Sequence, residues 1–171
     1  MATLRKGNCY KHVTRAYTRR SKYKAKGFIK AIPASKIVRF HMGDVKAEFS
    51  RKVMLVSKER MQIRHNALES ARVLVNRHLQ KNFGNNGYHF LVHLYPHHVL
   101  RENKMLTGAG ADRMQKGMQK SFGRAVGVAA QTRIGTVVFT IFVNENNLES
   151  AKKSMEMARS RMPGTYSVVV G

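Results

Sequence analysis

Residues 66–96 read NALESARVLVNRHLQKNFGNNGYHFLVHLYP, and the apolar period changes here from 3.6 to 2 across one glycine-rich turn. Leu68, Ala71, Val75 and Leu79 recur at spacings of three and four, while Glu69, Arg72, Asn76, Arg77 and Gln80 take the other faces. That pattern predicts an amphipathic helix over 66–82, ended near Gly84. From Tyr88 to Tyr95 the period is two: Tyr88, Phe90, Val92 and Leu94 share one face, and His89, Leu91 and His93 the other. Pro96 stops that strand, because it brings no backbone donor to a ladder.

Working outward, the C-terminal side repeats the alternation of element types. Residues 126–133 and 136–143 read as two strands, and Ile134-Gly135 between them predicts a hairpin. The second strand is apolar on both faces, which makes it central in its sheet. Leu148, Ala151, Met155, Ala158 and Met162 form the buried stripe of a second helix, with Asn146 and Glu149 spaced as a capping box and Pro163-Gly164 as the stop. Residues 165–170 are a last strand. On the N-terminal side, Val38, Phe40 and Met42 alternate with Arg39 and His41 ahead of Gly43-Asp44, and 48–56 and 61–63 are extended. The expected fold is α+β, a largely antiparallel sheet packed with two main helices. It forms one domain over 34–171, preceded by a basic arm over 1–33.

The charge singles out the partner class. The chain of 171 residues has 32 Lys and Arg against 9 Asp and Glu, a formal charge of +23. A compact body with that excess repels itself and is favoured beside a polyanion whose counterions it displaces. No acid precedes Asp44. In the arm, Arg15, Arg19, Arg20, Lys22, Lys24, Lys26 and Lys30 are interleaved with Tyr10, Tyr17, Tyr23 and Phe28, so cations meet phosphates while rings stack on bases. The competing reading is a disordered basic tail with its aromatics folded back onto the domain. No apolar run approaches the roughly 18 residues of a spanning helix, and no apolar block follows the basic start as in a secretory signal. A transit peptide is the harder rival, yet the basic bias runs past residue 30. Cys9 is the single cysteine, which leaves no intrachain disulfide and no cysteine-based zinc site.

Residues 103–123, NKMLTGAGADRMQKGMQKSFG, carry four glycines and no sustained period. Irregular segments longer than about 12–15 residues are uncommon inside a compact domain and tend to be functional or disordered. Enzymatic readings are weak. His89 and His93 on one strand are about 13 Å apart at roughly 3.3 Å per residue, and His97 and His98 have only Glu102 near them, so no metal is expected. Gly84-Asn85-Asn86-Gly87 has the GxxG spacing of an RNA clamp but is followed by a strand where that motif requires a helix. Gly108, Gly110 and Lys116 lack the Gly-Lys-Ser/Thr run of a phosphate loop. A metal-independent ribonuclease using His97 or His98 is the one enzyme alternative, and a general RNA chaperone is the binding alternative.

The run YHFLVHLYPHHVLRENKMLTGAGADRMQKGMQKSFG at 88–123, with AYTRR at 16–20, QIRHNALESAR at 62–72 and FGRAVG at 122–127, resembles the large-subunit ribosomal protein family called L-sixteen in bacteria and L-ten-e in archaea and eukaryotes. The loop form is similar to the archaeal type. The resemblance implies a hammerhead-like α+β fold, no enzymatic activity, no cofactor, and cytoplasmic residence in the ribosome. Its implied partners are large-subunit rRNA, tRNA and neighbouring ribosomal proteins, with neither a membrane nor an obligate homo-oligomer. It also implies that 103–123 points toward tRNA near the peptidyl transferase region. Arg101 would brace the base of that loop, Lys104, Met105, Gly108, Gly110, Arg113 and Lys116 would lie at or near its tip, and Lys120 and Arg124 would follow. Arg64, Arg72 and Arg77 join the arm residues as expected rRNA contacts. Two positions depart from the family pattern: Ala125 stands where proline is usual, and Gln131 where a basic residue is common.

Overall fold

The structure is a computed structural model that describes residues 5–18, 23, 25–103, 108 and 123–171. Of the residues singled out above, Arg19, Arg20, Lys22, Lys24, Lys104, Met105, Gly110, Arg113, Lys116 and Lys120 lie outside that set. Among the described residues the strands are β1 (His41–Gly43), β2 (Arg51–Ser57), β3 (Met61–Arg64), β4 (His89–Val92), β5 (His98–Glu102), β6 (Arg124–Thr132), β7 (Val137–Val143) and β8 (Tyr166–Val170). The helices are α1 (His65–Phe83) and α2 (Leu148–Arg159), and 3-10 turns occur at Gly7–Tyr10 and Glu145–Asn147. The expected α+β architecture, mostly antiparallel with two helices, is the one observed.

The strands form two sheets. The larger has the order β1-β4-β7-β2-β8 and the smaller β3-β6-β5, and every pairing is antiparallel. β7 lies at the centre of the larger sheet, as its two apolar faces require: Val138, Phe139, Ile141 and Val143 are buried. Thr140, the polar residue in this run, is buried with its hydroxyl 2.7 Å from His93 Nε2. Helix α1 buries the predicted stripe Leu68, Ala71, Val75 and Leu79. Helix α2 buries Ala151, Ser154, Met155 and Ala158 and packs against both α1 and the sheet. Ser154 Oγ donates to the Ser150 carbonyl at 2.8 Å, so its 2.7 Å contact to His78 Nδ1 has the imidazole as donor.

Four local expectations are corrected. β6 and β7 do not form a hairpin. Each already has two neighbours, β3 and β5 for one and β4 and β2 for the other, so neither has an edge to offer the other. Residues 133–136 instead carry the chain between sheets, with Gly135 at φ +83° and its N–H donating to the Ser57 carbonyl at 2.9 Å. The second correction concerns the capping box. Asn146 lies inside the 3-10 turn, Asn147 is the N-cap, and no side-chain cap bond forms. The turn itself engages the donors, since Asn147 N–H bonds the Asn144 carbonyl at 3.0 Å.

The first strand is also shorter than its alternation suggested. It holds only His41–Gly43, and Val38 is 75% exposed while Ile37 is buried. Lys36 N–H bonds His65 Nδ1 and the Ser35 hydroxyl bonds the Ile37 carbonyl, ties that turn this segment away from ladder geometry. The last correction is that residues 98–102, given no element from the sequence, form β5, buried at His98, Val99 and Leu100.

Two substitutions test this core, and a third at an exposed site serves as the control. Phe90 and Phe139 are fully buried and meet edge-to-face at 5.3 Å. Phe139→Ala should cost about 3–5 kcal/mol, read as a lower urea midpoint. Gly43 has φ +81°, and an added Cβ would strike the Tyr88 carbonyl oxygen. Gly43→Ala should therefore destabilise by about 1–3 kcal/mol, whereas Ile134→Ala, at a 74% exposed site, should change stability by less than about 0.5 kcal/mol.

Candidate nucleic-acid interface

The smaller sheet is the platform on which residues 11–17 of the arm lie. The contacts run in chain order. The Lys11 carbonyl accepts from Gln62 N–H of β3 at 3.1 Å. The Thr14 carbonyl accepts from Gln131 Nε2 of β6 at 2.9 Å. Tyr17 N–H donates to His98 Nδ1 at 2.7 Å, and its carbonyl accepts from Val99 N–H of β5 at 3.1 Å. Residues 11, 14 and 17 thus engage β3, β6 and β5 in turn. An extended chain has backbone groups that must find partners, and the sheet supplies them.

Scarce acids pin the arm's cations. Glu102, at the end of β5, takes Arg5 Nε at 2.6 Å and the Tyr10 hydroxyl at 3.1 Å. Burial first, and then the Glu102 charge, push the Tyr10 phenol up from its ordinary value. Glu59 takes Lys11 Nζ at 2.9 Å and the Thr165 hydroxyl at 2.7 Å. The Thr165 bond and then the Lys11 bond hold its carboxyl below the usual carboxylate range. Above Tyr10 lies Arg64, its guanidinium 5.3 Å from the ring centroid and its Nη1 donating to the Arg5 carbonyl at 3.2 Å.

The predicted site residues separate into groups. Arg15, Tyr17 and Arg101 come together: with Ala16 and Thr18 they line an open cleft of about 410 Å³. Arg101 stacks on the Tyr17 ring with its guanidinium carbon 3.9 Å from the centroid. Arg101 belongs to β5, two residues before the segment 103–123 begins. On the other side of that segment, Arg124 opens β6 and is paired in register with Glu102. Gly108 is exposed. Lys26 lies 5.9 Å from the Tyr23 ring, and Lys30 and Arg77 are exposed. Arg72 is occupied within its own helix, giving two bonds of 2.6 and 2.8 Å to Glu69 with a side chain only 12% exposed.

Three contributors were not in the predicted set. His98, weighed above as a metal ligand or nuclease residue, is 6% exposed and spends Nδ1 on the arm. Burial lowers its pKa, with His97 and Arg101 adding to the effect. Gln131, noted only as a departure from the family pattern, bonds the arm carbonyl at Thr14. Glu102 stands out in the sequence only as an isolated acid among cations, a signal that gives no partner. At the root of 103–123, Arg101 faces Ala125 while Leu100 faces Gly127, a one-residue bulge that bends the strand pair locally.

Comparison with known proteins gives the same family as the loop motif. Residues 14–169 match the model of the family described as ribosomal protein L16p/L10e. The chain is similar to the large ribosomal subunit protein uL16 of Methanocella arvoryzae, 48% identical over 155 residues, covering 91% of this chain and 87% of that protein. It is also similar to the proteins of the same name from Methanococcus aeolicus, 44% identical over 169 residues and covering 98% and 94%, and Staphylothermus marinus, 44% identical over 161 residues and covering 94% and 89%. With the family model spanning most of the chain and relatives this close over nearly its whole length, the chain belongs to the L16p/L10e family of ribosomal proteins.

Proposed function

We propose that this protein is a structural constituent of the large ribosomal subunit, resident in the ribosome, that binds large-subunit rRNA and helps position tRNA near the peptidyl transferase region. It performs no bond chemistry and needs no cofactor. The observation that carries this reading is the cleft where Arg15 and Tyr17 of the arm meet Arg101 at the root of 103–123. Arm and loop root share one basic surface on β5, so RNA bound by the arm lies beside the root of the loop. Arg19, Arg20, Lys22 and Lys24 in the arm and Lys104, Arg113, Lys116 and Lys120 in the loop, all outside the described residues, follow these cations in the sequence and add to the charge offered to RNA. In this reading the arm and Arg64, Arg77 and Arg124 neutralise rRNA phosphates, while Arg72 is taken up by Glu69. Met105, Gly108 and Gly110 belong to the part that approaches tRNA, where glycine lets backbone come close to a ligand.

The protein should co-sediment with large subunits and be released by salt with a steep dependence, since each neutralised phosphate adds to the slope. Equal affinity for unrelated duplexes at matched salt would instead favour a general chaperone. Deleting 108–116 should leave thermal unfolding and rRNA binding intact while lowering tRNA occupancy of reconstituted subunits; unchanged occupancy would remove the loop from the mechanism.

Two measurements probe the arm. Arg101→Ala removes a cation–π contact of about 1 kcal/mol, and should raise hydrogen exchange at the Val99 amide about fivefold. The second is pH. His98 accepts the Tyr17 N–H only when Nδ1 is unprotonated, and its folded pKa lies below the ordinary 6.5. A depressed group contributes stability that is complete above 6.5 and is lost as pH falls through the folded value. Exchange at the Tyr17 amide, corrected for its intrinsic pH dependence, should therefore show increasing arm opening as pH drops below 6.5. No change with pH would mean that His98 does not hold the arm.

A further inference from the structure

We propose that a second cleft, formed where the arm crosses between β3, the start of α1 and the turn after α2, binds a single phosphodiester of RNA. The proposal rests on the reading that the protein binds rRNA, and it assigns a contact to Arg161, which neither charge pattern nor loop motif singles out. The cleft has a volume of about 210 Å³ and is walled by Gly7, Gln62, Arg64, Ala67, Ser160 and Arg161 among others, with no carboxylate in the lining. Small-molecule pockets run from about 300 Å³ upward. This one suits an ion.

Its donors come from separate parts of the chain. Arg64 is held rigidly: its ring contact with Tyr10 and its Nη1 bond to the Arg5 carbonyl fix the fork. Nη2 then stands beside Gly7, where an added Cβ would lie 3.6 Å from it. Gln62 is 5% exposed, and its Oε1 accepts from Gln131 Nε2 at 3.4 Å. That bond orients the carboxamide and leaves its Nε2 as the remaining donor of a buried side chain on the cleft wall. Arg161 is exposed, with its backbone fixed by a 3.1 Å bond to the Ala158 carbonyl.

The field has the same sign. Helix α1, 19 residues long, starts here with Arg64 as N-cap, no side-chain cap bond and no acid in its first turn, so its positive end adds to the two guanidinium groups. The acid beyond the cleft near Gly164 is Glu59, already engaged by Lys11 and Thr165. Two guanidinium forks and an amide match the oxygens of a phosphate. Because Gly7 forms part of the wall, the cleft is complete only when the arm is docked.

The test uses the full-length protein labelled with 15N and titrated with a four-nucleotide oligouridylate or with inorganic phosphate. With the oligonucleotide, the Gln62 side-chain amide and Arg64 Nε resonances should shift together and saturate. Arg161→Gln should weaken that response at least fivefold, and Arg161→Lys should restore part of it. A Gln62 amide that does not move, or moves equally in Arg161→Gln, would overturn the proposal. A response to inorganic phosphate without one to oligouridylate would reassign the cleft to a free anion and overturn the RNA contact.

In a salt series with large-subunit rRNA, Arg161→Gln should lower the slope of log affinity against log salt by roughly 0.7–0.9, the loss of one phosphate contact. An unchanged slope with wild-type protein still bound tightly would sink this cleft alone. Wild-type protein that does not bind rRNA would sink the broader reading, while the oligouridylate titration would still report on the cleft.

Discussion

A chain with 32 cations and 9 acids must hold a basic segment against a basic body, and the contacts around Glu102 and Glu59 are where that repulsion is offset. Glu102 takes Arg5 and Tyr10, and Glu59 takes Lys11. From Lys11 onward to Tyr17 the arm is held by uncharged bonds, to Gln62, Gln131, His98 and Val99. Exposed ion pairs are individually weak and screened by salt, so the neutral bonds carry most of the docking and the acids relieve the repulsion. His98 belongs in this scheme because a neutral imidazole accepts an N–H without adding another positive charge.

Once docked, the arm completes features that the domain lacks by itself. It places Tyr17 under Arg101 and Tyr10 under Arg64. The result is a pair of clefts, one at the root of 103–123 and one beside the start of α1. Both put guanidinium groups on aromatic faces, which fixes the long side chains at a lower entropic cost than a free arginine pays when it meets phosphate.

The parts of the fold written in local periodicity were legible in the sequence. The stripe of α1, the doubly apolar β7 and the first half of the alternation at 88–95 follow from side-chain spacing, although β4 covers only His89–Val92 and ends before Pro96. The parts decided by which strands become neighbours were not. Ile134-Gly135 has the residues of a hairpin turn, and nothing local tells that β6 and β7 each find two other partners. His98–Glu102 was missed because a five-residue strand containing two charged residues has too little period to register. At the interface, the arm's cations and the glycine-rich loop were visible as composition, whereas the roles of His98, Gln131 and Glu102 depend on contacts 81 to 117 residues apart in sequence for His98 and Gln131. Arg72 shows the converse: a cation on a helix surface, three residues from an acid, that folds onto its neighbour.

The register pair Glu102 and Arg124 closes the chain on either side of 103–123 with opposite charges on adjacent strands. For any segment anchored in this way, the entropy of joining its ends is met by the ladder below it, and doubling its length adds only about 0.6 kcal/mol. The domain is thereby insulated from changes in what it carries. Residues can be inserted into or removed from such a segment at little cost to folding, so its length is set by what it meets and not by the stability of the sheet beneath it.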